Sequence, residues 1–189
     1  MIWTGIRRRS FLGAMVSAPL LSASPAAQAE RPPVEKVDAG TGHGREVIKL
    51  PGGDPVYVKV STQETRGALF MTEQPAGPRG SGPPKHYHEE TDEWFYCLSG
   101  VYVVEIGEQR FRLGPGDCVL GPRRVPHAFA FDADGPGKLL VGFSPAVNME
   151  QFFHDLEKRG AYFGSGTAAD KETAHRLYGI VNVGPPLKL

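Results

Sequence analysis

The chain of 189 residues has only two cysteines, no net charge, no internal repeat and no apolar run long enough to cross a bilayer. Each lack excludes something. Two cysteines cannot staple a small secreted scaffold, and Cys97 and Cys118 read either as small apolar core residues or as one pair whose proximity the sequence leaves open. With 21 basic against 21 acidic residues there is no positive excess to grip phosphate backbones, so a nucleic-acid partner is not expected. What is plentiful is glycine (24) and proline (17), scattered between short apolar runs. That is the composition of many strands joined by turns, and it argues against a helical bundle. The length suits one compact domain with a real core.

Residues 1–29 carry an export signal rather than fold information. Arg7, Arg8 and Arg9 precede Ser10-Phe11-Leu12, a moderately apolar run continues to Leu21, and Ala27-Gln28-Ala29 places small residues before Glu30. The Arg-Arg-x-Phe-Leu arrangement resembles a twin-arginine signal, with Gly13 where a lysine is common. The run is too short for a membrane anchor and is interrupted by Pro19 and Pro25. The expected location is therefore the periplasm, with no membrane contact after cleavage. Of the 21 basic residues three lie in this segment and no acid does, so removing it leaves 18 basic, 21 acidic and a formal charge of −3.

Residues 30–44 read as an extended arm and 45–145 as a β-barrel. Short runs rich in β-branched and aromatic residues recur at 47–50, 56–60, 68–71, 93–98, 101–106, 109–113, 118–120, 127–131 and 138–143, separated by turn residues such as Pro51-Gly52-Gly53-Asp54 and Gly114-Pro115-Gly116-Asp117. Close spacing predicts an antiparallel sandwich or barrel. Residues 146–189 are expected to be a helical extension. Met149, Phe152, Phe153 and Leu156 recur at helical spacing between Asn148 as cap and Gly160 as stop, and a second helix is expected from about Asp170 to Tyr178. On the Glu93 strand Phe95 and Cys97 share one face, and Trp94, Tyr96 and Leu98 the other. Both faces are apolar, so a cover is expected from these helices or from a second subunit.

His86 and His88 are two residues apart, which in a strand turns both imidazoles to one face. Glu93 lies an odd five positions beyond His88, so Glu89-Glu90-Thr91-Asp92 must turn or bulge to bring it back; Asp92 is the alternative carboxylate if the bulge falls elsewhere. His127 comes from a separate strand behind the loop Gly121 to Pro126. Three imidazoles and one carboxylate suit iron, manganese, nickel, copper or zinc. Phe95, Phe129 and Phe131 share parity with Glu93 or His127 and are candidate pocket lining, which core packing explains equally well. Arg123 and Arg124 flank the His127 loop and either meet an anionic substrate or are simply solvated.

These residues resemble the cupin superfamily. Gly80-x5-His86-x-His88-x4-Glu93-x6-Gly100 fits its first motif at every defined position, and Gly116-Asp117, Pro122 and His127 fit the second. Arg124 stands where a glycine is usual and Phe131 where an asparagine is usual. The resemblance implies an all-β double-stranded β-helix, or jelly roll, over roughly residues 45–145, holding one divalent transition metal on His86, His88, Glu93 and His127. The ending Tyr178-Gly179-Ile180-Val181-Asn182-Val183-Gly184-Pro185-Pro186-Leu187 is similar to that of quercetinase-like cupins. It implies a metal-dependent dioxygenase for a small aromatic or enolisable substrate, with Glu93 also accepting a substrate proton, and a homodimer as a common state. A non-catalytic binding cupin and an oxygen-independent isomerase are the alternatives.

Overall fold

The computed structural model describes residues 34–164 and 166–189. The signal segment expected over 1–29 lies outside the described residues. Two antiparallel sheets stack face to face in a jelly roll. The first has the order β1 (Ile48–Lys49), β2 (Pro55–Val60), β3 (Phe70–Pro75), β10 (Lys138–Ser144), β5 (Asp92–Ser99), β8 (Cys118–Gly121). The second has β11 (Ile180–Pro186), β4 (Pro84–His88), β9 (His127–Phe131), β6 (Tyr102–Ile106), β7 (Gln109–Leu113). Helices α1 (Thr62–Thr65), α2 (Met149–Arg159) and α3 (Ala168–Tyr178) join them. Alternation decides what faces inward: along β5, Glu93, Phe95 and Cys97 are buried, while Tyr96 and Leu98 point to solvent.

Four expectations need correction. Residues 146–189 are not wholly helical, because β11 follows α3 and pairs with β4, setting Ile180 opposite His88 and Asn182 opposite His86. Gly179, in the left-handed region at φ +65°, ends α3 and turns the chain back into the sheet. The helix itself starts earlier than Asp170, since Thr167 and Asp170 form a reciprocal capping box that makes Asp170 its third residue. Nor does Asn148 cap α2 through its side chain, which instead donates to the carbonyl of Leu177 at 2.9 Å.

The fourth correction concerns the helices' packing. They do not cover the outer face of β5, where Tyr96 and Leu98 stay exposed beside Leu120 at 52% exposure. The aromatic stripe of α2 instead docks on inward-facing side chains, with Phe153 5.8 Å from Phe70 and 6.0 Å from Phe143. Phe143 is the cross-strand partner of Glu93 and so shares its face. Met149, Phe153 and Leu156 are buried there, each contributing on the order of 1.5–3 kcal/mol by removal from water. α2 therefore closes the space between the sheets.

Candidate metal centre

Three histidines come from one sheet and the carboxylate from the other. His86 and His88 stand on β4, and His127 at the start of β9 is the direct cross-strand partner of His86. Glu93 enters from β5 after the bend at 89–91 that the odd spacing required. That bend is held by the Glu89 N–H on the Gly179 carbonyl and by the Thr91 hydroxyl on the Pro145 carbonyl, both 2.9 Å. Asp92, the alternative carboxylate, faces out and pairs with Arg123 at 2.7 Å. Glu93 Oε2 lies 2.8 Å from His127 Nε2, 3.0 Å from His88 Nε2 and 3.8 Å from His86 Nε2. The four ligand atoms all lie within 4.8 Å of one another.

The hydrogen bonds behind the rings say what this cluster is for. His86 Nδ1 donates to the Pro84 carbonyl at 2.7 Å and His127 Nδ1 to the Val125 carbonyl at 2.9 Å. With the proton on Nδ1, a neutral imidazole turns a lone pair inward from Nε2. Lone pairs then face a carboxylate oxygen, which is tolerable in a buried site only with a cation or proton between them. Burial and the neighbouring His88 push His86 down to about 3, so it is a neutral donor at any ordinary pH. Burial opposes ionisation of Glu93 but is overcome by hydrogen bonds from His127 and His88, which hold it below the usual carboxylate range. Burial likewise lowers His127, and its bond to Glu93 more than restores it. One carboxylate and three imidazoles fit a divalent metal ion, the site the spacing predicted.

A cavity of about 400 Å³ opens from the cluster, with His86, His88 and Glu93 in its wall. Of the aromatic residues expected around the metal, Phe129 stands in that wall. Phe95 lies behind His127, with ring centroids 6.0 Å apart, and Phe131 packs on Tyr102 at 5.2 Å; neither lines the cavity. Arg123 and Arg124 serve the His127 loop. Arg124 donates its backbone N–H to the His88 carbonyl at 2.7 Å with φ at +64°, which explains why a glycine suits this position. Sequence reasoning missed Asp54, Ser81 and Asn182, all in the cavity wall. For Asn182 a signal existed: alternation along 180–186 places it on the face of Ile180. Cys97 is buried, Cys118 exposed, and both are free.

The cupin domain family model matches residues 75–143, the segment that carries all four ligands. Quercetin 2,3-dioxygenase of Bacillus subtilis (strain 168) is 31% identical over 108 residues, 57% of this chain and 32% of that protein. The chain thus spans about a third of that curated relative's length. Both findings support the cupin superfamily. Among solved structures, KdgF from Halomonas sp. matches at 23% identity and a TM-score of 0.47, over 55% of this chain and 88% of that one. A salicylate 1,2-dioxygenase from Pseudoaminobacter salicylatoxidans matches at 20% identity and 0.40, over 46% and 25%.

Proposed function

We propose that this cupin is a metal-dependent dioxygenase acting on a small aromatic or enolisable substrate. One observation carries the reading: the ligand cluster opens into a mostly apolar cavity whose wall includes Phe129, Leu139, Phe143, Phe152 and Phe153, a surface suited to a planar apolar molecule. When bound, a divalent metal would supply Lewis acidity and open positions for substrate and dioxygen. The chain supplies the rest. His86, His88 and His127 would hold the ion through Nε2, with the Nδ1–H of His86 and of His127 fixed on backbone carbonyls. Among the described residues Glu93 is the one acidic group at the metal end of the cavity, and it can accept a substrate hydroxyl proton as the enolate forms. The aromatic walls orient the ring and exclude water. The twin-arginine-type pattern in residues 1–29 supports a periplasmic protein that acquires its metal before export.

The test is oxygen consumption by protein loaded separately with iron, manganese, nickel, copper or zinc, offered flavonols and 1,3-diketones. Turnover with at least one redox-active ion, lost in Glu93→Gln, is the expected result. Absence of uptake with every ion and substrate would overturn the dioxygenase reading, and ligand binding without product would make the protein a binding cupin.

A further inference from the structure

The cavity has a second end, and strand register fixes how far away it is. Glu93 pairs with Phe143 on β10, whereas Lys138, five residues along the same strand, pairs with Pro75 on β3. At roughly 3.3 Å per residue the two ends are separated by about 17 Å along the strand. Tyr57 pairs with Glu73, so antiparallel register brings Pro55 beside Pro75 and sets Asp54 at this remote end. Asp54, Gly77 and Ser81 all line the cavity there.

Their chemistry differs from the rest of the wall. Gly77 makes the close approach possible: a Cβ on it would lie 3.2 Å from Asp54 Oδ2 and 3.2 Å from Ser81 Oγ, so the carboxylate and the hydroxyl converge over the same α-carbon. The Tyr162 hydroxyl stands nearby: a Cβ on Gly52 would lie 3.6 Å from Asp54 Oδ2 and 3.8 Å from the Tyr162 hydroxyl. Asp54 has no ion-pair partner among the described residues. A half-buried carboxylate without a cation, at the far end of an otherwise apolar cleft, leaves acceptor capacity that a ligand can use.

Building on the substrate reading above, we propose that Asp54, with Ser81 beside it, is a specificity-determining subsite for the end of the ligand remote from the metal. It selects an elongated, mainly apolar ligand that presents a phenolic hydroxyl there, and it rejects a carboxylate. The hydroxyl donates to Asp54, a charge-assisted bond. A carboxylate in the same place meets like charge in a partly desolvated cleft.

Binding is measured calorimetrically on zinc-loaded protein, where redox chemistry is silent. The probes are 1-(biphenyl-4-yl)butane-1,3-dione and its derivatives carrying a hydroxyl or a carboxylate on the far ring. In the natural protein the hydroxyl ligand should bind roughly tenfold or more tightly than the parent, and the carboxylate ligand more weakly. In Asp54→Ala both differences should vanish while affinity for the parent is kept, which also reports an intact fold. Asp54→Asn preserves the side-chain shape and should remove the carboxylate penalty on its own. Equal hydroxyl preference in the natural protein and Asp54→Ala overturns the subsite alone. Failure of even the parent to bind overturns both the subsite and the reading of the cavity as a substrate site, whatever the oxygen-uptake assay shows.

Discussion

The two ends of the cavity are built on different principles. At the metal end three of the four groups are fixed twice, once by the strand and once by a hydrogen bond: His86 by Pro84, His127 by Val125, Glu93 by its contacts with His88 and His127. At the other end and along the floor, the wall is side-chain packing from α2 and from the turns before β2 and β4. The first arrangement sets affinity for an ion; the second sets which molecule reaches it. Mutations at the two places should therefore fail in different currencies.

The largest contrast should come from His127→Ala. It removes a ligand outright, so metal affinity should fall by more than the roughly 10–100-fold that loss of a supporting partner costs, read by competition with a chelating dye. Chelation should lower the melting temperature of the natural protein and leave that of the variant unmoved. Next is Phe153→Ala on the wall. Phe153 is buried between Phe70 and Phe143, so truncation should cost about 3–5 kcal/mol in denaturant unfolding while ligand atoms and metal stoichiometry stay unchanged. Equal loss of metal in both variants would erase the distinction between the ligand groups and the apolar wall. The smallest effect should be Arg123→Ala. It breaks an exposed pair with Asp92 and should cost about 1 kcal/mol or less, with metal affinity kept, because the Arg123 backbone N–H still bonds Asp92 at 2.8 Å.

The metal end was legible in the sequence because its rules are local. Two residues apart on a strand means one face, and five apart forces a turn, so His86, His88 and Glu93 follow from spacing. Strands 109–113 and 127–131 also fall where the apolar runs and turns put them. The wall around the ligands was not legible. β11 carries two prolines and follows a helix, so its partnership with β4 shows only when both are in place. The stripe on α2 was visible as a stripe, but periodicity tells which face is apolar and not what it meets. That is why the helices were expected over the outer face of β5 and are found over Phe70 and Phe143 instead. Phe95 and Phe131 show the same limit: parity places a side chain on a face, and depth within the core decides whether it touches the cavity.

By itself the sequence determined the alternating strands, the turns and the four donor groups, because each depends on neighbours a few residues away and on period-two geometry. Only the tertiary structure decided that Asp54, Phe129, Phe153 and Asn182, spread over more than half of the chain, would share one cavity with the ligands. Burial of apolar surface is non-directional, so it drives distant segments together without writing their pairing into any local pattern.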